Sequence, residues 1–118
     1  MNLADKKCVP CEDASTSKLS LEEAEELNKQ IEGWGLEEKN GHLQISKEFR
    51  FADFKEALDF VNKVGAIAQE QGHHPNLYII YNKVKVVLYT HVIAGLHEND
   101  FIMAAKINGL SRQGLTLS

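Results

Sequence analysis

Apolar residues fall at helical spacing in three stretches of the chain and at alternating spacing in the stretches between them. Leu21, Ala24, Leu27 and Ile31 share one helical face. Ser20 and Glu23 form a capping box at the start of that stretch, and Gly33 suits the left-handed position after a helix end. A first helix is expected over Leu21 to Glu32. Asp53 can cap a second helix whose Phe54, Ala57, Leu58, Val61, Val64 and Ala68 make one stripe, ended by Gly72. A third stripe, Phe101, Ala104, Ala105 and Ile107, is closed by Gly109. Between the first two helices, Trp34 and Leu36 lead into Asn40-Gly41, a type I′ hairpin signal. Leu43, Ile45, Phe49 and Phe51 then mostly keep a period of two. A second hairpin follows Pro75, with Leu77, Ile79 and Tyr81 on one run and Val84, Val86 and Leu88 on the next. Asn82-Lys83 is its expected connection.

The order is helix, two strands, helix, two strands, helix. Hairpins with one apolar face, covered by helices on that side, make an α+β two-layer sandwich. The expectation is a four-stranded antiparallel sheet with three helices on one face, α-β-β-α-β-β-α. Residues 19–118 are read as a single domain, with residues 1–18 as an N-terminal arm.

At 118 residues the chain is long enough to fold on its own core. Its 43% hydrophobic and 25% charged content is that of an ordinary globular protein. A net charge of −4 argues against binding phosphate backbones, so nucleic acid is not an expected partner. No apolar run reaches the length that spans a bilayer, and the N-terminus has no apolar signal core, so no membrane association and a cytoplasmic location are expected. Cys8 and Cys11, in "CVPC", are the only cysteines. Structural zinc needs two such pairs, and thioredoxin chemistry needs the pair between a strand and a helix. Reduced thiols on a plain arm are the simpler reading.

Three of the five histidines lie between Gly72 and His91. The residue before a proline is pushed out of the helical region, so His73-His74-Pro75 is a helix-to-strand corner. With Asn82 and Lys83 as the turn, Leu77 faces Leu88, Ile79 faces Val86, and His74 falls opposite His91; a three-residue loop would put His73 there instead. Imidazoles titrating near neutrality and gathered at strand ends point to a site. Adjacent residues of an extended chain point to opposite sides, so His73 and His74 are poor co-ligands and a metal is the weaker reading. Acid–base chemistry tolerates histidines spread around a cleft, and elimination of water from a small polar substrate suits them. His42, just after the Asn-Gly turn, is expected to be solvated, and His97 to help cap the third helix.

The run Gly72-His73-His74-Pro75, then Tyr81, then His91, then "GLHENDFIMAAKI" with Asp100, strongly resembles the pterin-4a-carbinolamine dehydratases. Gly33-Trp34, the Phe51 to Gly72 segment and the N-terminal "CVPCE" extend the likeness over nearly the whole chain. The resemblance implies a cofactor-free hydro-lyase. 4a-Hydroxytetrahydropterin would lose water to give quinonoid dihydropterin, in recycling of the tetrahydrobiopterin used by aromatic amino acid hydroxylases. It also implies that His73 and His91 are the acid–base pair and that His74 orients substrate beside the Pro75 corner. Tyr81 and Asp100 belong to the family motif, Tyr81 as packing and Asp100 chiefly as a helix cap. The family commonly has an acidic residue four positions before the first histidine. Here Gln69 stands there, with Glu70 next, and either is a candidate substrate contact.

Relatives assemble into dimers and tetramers, and the face carrying Tyr78, Ile80, Val87 and Tyr89 is too apolar for a lone sheet, so a homodimer or homotetramer is expected. A hydroxylase of the same pathway is a further partner implied by the resemblance. Two other readings are open: a non-enzymatic interaction or regulatory module, and a related role on another pterin cofactor.

Overall fold

The computed structural model describes residues 3–8 and 18–111. Three helices, α1 (Leu21–Asn28), α2 (Phe54–Gln71) and α3 (Glu98–Ser111), alternate with β1 (Gly35–Lys39), β2 (His42–Arg50), β3 (Asn76–Ile80) and β4 (Lys83–Leu88). The expected α-β-β-α-β-β-α order is found. The strands form one antiparallel sheet in the order β1-β2-β4-β3. Among the described residues no helix is long and apolar enough to cross a membrane.

Strand alternation sorts the sheet into two faces. Leu36, Ile45, Phe49, Val84, Val86 and Leu88 share the face packed by helices, because Ile45 pairs with Leu88, Phe49 with Val84 and Leu36 with Ile45. Phe60 of α2 fills the gap between Phe49 and Phe51, its ring centroid 4.7 and 5.0 Å from theirs. Each of these phenylalanines is buried, which contributes roughly 1.5–3 kcal/mol per side chain.

The first hairpin turns as its sequence predicts, Asn40 and Gly41 both taking positive φ (55° and 83°). The second does not. Its turn is Tyr81-Asn82 rather than Asn82-Lys83: Ile80 pairs with Lys83, Ile79 with Val84 and Leu77 with Val86. Asn82 is tied to the end of β2, its carbonyl accepting from Phe51 N–H (2.8 Å) and its side-chain amide donating to Phe51 O (3.0 Å). That anchor fixes the turn one residue earlier. Partners slip by two positions, so every side chain keeps its expected face.

Helix boundaries differ where tertiary contacts override local signals. Helix α1 stops at Asn28, not Glu32, as tighter turns (Gln30 N–H to Leu27 O, Ile31 N–H to Asn28 O) drop Ile31 into the core. Gly33 keeps its positive φ of 84° but serves the following turn. In α2 the buried stripe is Ala57, Phe60, Val64 and Ala68, while Phe54 and Leu58 are exposed. Helix α3 runs past Gly109 to Ser111 and buries Ile102, Met103 and Asn108 as well as Phe101, Ala104 and Ile107. It is enclosed on several sides because a 3₁₀ turn of the arm, Leu3–Asp5, packs against it beside α2 and α1. Leu3 is buried, Lys6 pairs with Glu98 at 2.7 Å and Lys106 donates to Ala4 O.

Candidate active site

The end of α2 sets the first histidine. Gly72 takes the left-handed conformation (φ 67°), its N–H and that of His73 both bonding Ala68 O. This Schellman closure turns His73 inward at the foot of β3. There His73 Nε2 lies 2.6 Å from Asp100 Oδ1; His73 is nine-tenths buried and Asp100 wholly so. The other carboxylate oxygen, Oδ2, accepts from Thr90 Oγ1 (2.9 Å) and from His97 N–H (3.0 Å). Such an acceptor-only carboxylate makes Nε2 of His73 the donor and leaves Nδ1 as the ring's second working nitrogen.

Asp100 therefore has two duties. Its bond to His97 N–H, with Asn99 N–H donating to His97 Nδ1 (3.1 Å), satisfies backbone donors at the start of α3 with His97 as the cap. Its other contacts join His73 to Thr90, the residue directly before His91. Thr90 is braced in turn by a two-way backbone bridge to Gly95, which closes the short loop holding the 3₁₀ turn His91–Ile93. One buried carboxylate thus fixes both chain segments that carry the expected acid–base pair, in place of the direct cross-strand meeting of His74 and His91 expected from the hairpin.

His74 points the other way and is exposed, its Nε2 3.2 Å from Gln69 Oε1. Glu70 instead accepts from Gln71 Nε2 (3.2 Å), and Gln71 Oε1 accepts from Cys8 N–H (2.9 Å). Gln69, not Glu70, is the hydrogen-bond neighbour of His74. Pro75 is partly buried at the corner. Tyr81 is not packing: it is 65% exposed in the β3–β4 turn, at the end of β3 away from His74. Cys8 Sγ lies 3.7 Å from Asn99 O, and Cys11 lies outside the described residues. Among the described residues no three His, Cys, Asp or Glu side chains converge to hold a metal ion.

His91 is exposed, its ring against Tyr89 with centroids 4.2 Å apart. Tyr89 in turn stacks on His42 at 4.1 Å. His42 is thus half-buried in a ring contact rather than solvated, because β2 lies beside β4 and brings its first residue to the end of that strand. The two hairpins had to be joined edge to edge before this neighbour could be seen. On the helix-free face His42, Gln44, Tyr78, Lys85, Val87 and Tyr89 line part of a trough of about 490 Å³.

A family model described as pterin 4 alpha carbinolamine dehydratase matches residues 17–110. The chain belongs to the pterin-4a-carbinolamine dehydratase family. It is 41% identical over 115 residues to pterin-4-alpha-carbinolamine dehydratase 2, mitochondrial, of Arabidopsis thaliana, covering 97% of this chain and 62% of that relative. A relative from Rubrobacter xylanophilus bearing the same family name is 45% identical over 108 residues, covering 92% of this chain and 97% of the relative. Among solved structures, one from Brucella melitensis described as a transcriptional coactivator/pterin dehydratase superposes with a TM-score of 0.72 at 33% identity, over 80% of this chain and 98% of its own. A pterin dehydratase-like protein identified as a RuBisCO assembly factor in the alpha-carboxysome shares the fold, with a TM-score of 0.57 at 22% identity over 71% of this chain and 93% of that one.

Proposed function

We propose that this chain is the hydro-lyase its family name describes, converting 4a-hydroxytetrahydropterin to quinonoid dihydropterin, with His73 and His91 as the acid–base pair. The observation that carries the reading is Asp100, which binds the His73 ring through one oxygen and the residue before His91 through the other. A histidine oriented by a buried carboxylate is a common arrangement for proton transfer. In the reaction one imidazolium gives its proton to the 4a-hydroxyl, and the C–O bond breaks to release water. The lone pair of the adjacent ring nitrogen forms a C=N bond, and that nitrogen's proton passes to the other imidazole. Each transfer is worth roughly 10²–10⁴-fold. His74, with Gln69 beside it and Pro75 behind it, is positioned to orient the substrate, Gln69 taking the place of the family's usual acid. Glu70, turned to Gln71, is the weaker candidate contact. No metal or organic cofactor enters this scheme.

The same proposal includes a homodimer or homotetramer, supported by Tyr78 and Ile80 on edge strand β3, which are 53% and 70% exposed, and by exposed Phe54 and Leu58 on α2. It also includes a hydroxylase that supplies the substrate, residues 19–118 as one domain with residues 1–18 as an arm, and a cytoplasmic location, although the Arabidopsis relative is named mitochondrial. A regulatory module is the second reading, favoured by the double description of the Brucella relative. It would leave the buried His73–Asp100 pair without a task. The test is stopped-flow decay of 4a-hydroxytetrahydropterin, generated in place by a hydroxylase, with and without this protein. Acceleration abolished in His73→Ala supports the enzyme; no acceleration by the wild-type chain rejects it.

A further inference from the structure

His42 stacks on Tyr89 at a centroid distance of 4.1 Å and 30°, and Tyr89 meets His91 at 4.2 Å and 37°. Two rings so close and so nearly parallel to a third cannot share one of its faces, since non-bonded carbons keep about 3.5–4.0 Å apart and side-by-side rings would overlap. The three therefore form a column, His42–Tyr89–His91, with both faces of the tyrosine covered. The backbone explains why. Asn40-Gly41 fixes the turn so that Lys39 pairs with His42, which puts His42 on the helix-free face at the start of β2. The pairing of Ile45 with Leu88 brings Tyr89 to the same face at the end of β4.

We propose that His42 is a positioning residue for the dehydration, holding Tyr89 in the orientation against which the His91 imidazole rests. The inference depends on the reading of His91 as an acid–base group. His91 itself is exposed, in a 3₁₀ turn closed by Ala94 at positive φ (48°), and the Tyr89 ring is its one ring contact among the described residues. Tyr89 is half-buried, and with His91 on one face of its ring its freedom to turn is set by what covers the other. That cover is His42. The Nε2 atom of His42 is buried without a hydrogen-bond partner. Its contact with Tyr89 is made by the flat ring and not by a hydrogen bond from Nε2, so another flat ring can replace it.

The test compares His42→Ala, His42→Leu and His42→Phe with wild type by stopped-flow dehydration and by the imidazole ¹H–¹³C spectrum, in which the His91 signal is identified by its loss in His91→Ala. Removing the ring in His42→Ala or His42→Leu lowers kcat by about tenfold with little change in KM, as expected when an acid–base group loses its alignment. The His91 signal moves toward that of an unstacked histidine as the Tyr89 ring swings away. His42→Phe restores both. A His91 signal unmoved in folded His42→Ala and His42→Leu overturns the proposal whatever the rate. So does a His42→Phe protein as slow as His42→Ala, which would mean that His42 acts through its nitrogens. If His91→Ala keeps the full rate, the acid–base reading of His91 falls, and with it the consequence for catalysis. The signal shift then still decides whether the column exists.

Discussion

Asp100 shows how far single residues could be read. As a side chain in the first turn of a helix it reads as a cap, and it is one, through His97 N–H. Its second oxygen contact, to a histidine 27 positions away, has no local signature. The three bonds also predict what an isosteric change does. In Asp100→Asn the amide oxygen must still face the His97 N–H and Thr90 hydroxyl, which turns the NH₂ toward His73 Nε2 and forces the ring proton to the other nitrogen. The expected result is a folded protein whose kcat falls roughly 10²-fold or more, in line with a base held in the wrong tautomer. Circular dichroism with stopped-flow turnover checks it, and an unchanged kcat would show that Asp100 only caps the helix. His74→Ala, by contrast, is expected to raise KM more than it lowers kcat, because that ring is exposed beside Gln69 rather than held in the interior. With His73 and His74 hydrogen-bonded to Asp100 and Gln69, turnover is also expected to survive exhaustive chelation; loss with EDTA and recovery with zinc would contradict this.

Among the elements, the period of the apolar residues was enough for the existence and order of all three helices and four strands, and for the helix-packed faces of β2 and β4; on edge strand β3, Ile79 of the expected buried face is 39% exposed. It was not enough for the Tyr81-Asn82 turn, because the anchor that sets it is Phe51, at the end of the other hairpin. Nor could it show that the arm lies on α3, since a three-residue turn has no periodicity to detect. Two predictions belong at this scale. Gly72→Ala forces a Cβ into the left-handed region, with open space around it, so the strain is in the backbone alone and costs about 1–2 kcal/mol. Urea denaturation measures that loss, and a stability equal to wild type would mean that the α2 corner is not held at positive φ. Deleting residues 1–17 exposes the site of Leu3 and lowers stability by roughly 1.5–3 kcal/mol, the worth of one buried leucine, while the Lys6–Glu98 pair, partly exposed, adds little. An unchanged urea midpoint would contradict the docking of the arm.

For the whole molecule, the apolar strip expected on the helix-free face divides. Val87 is buried and Tyr89 is committed to the ring column, which leaves Tyr78 and Ile80 on edge strand β3 as the groups in need of a cover. Sedimentation equilibrium at micromolar concentration is expected to give at least twice the 13.2 kDa chain mass, and Ile80→Asp to reduce it. A fully active monomer would refute the assembly. Strand order was the global fact that the sequence withheld: β2 beside β4 joins the two hairpins and brings His42 to the site. What ties residue, element and molecule together is the separate support of two histidines, His73 by Asp100 and His91 by Tyr89. The most direct measurement is the stopped-flow decay of 4a-hydroxytetrahydropterin with wild type and with a folded His73→Ala, His91→Ala double variant. Wild type is expected to accelerate the decay and the double variant to lose that acceleration by about 10²-fold or more. A double variant that dehydrates at the wild-type rate would contradict the account.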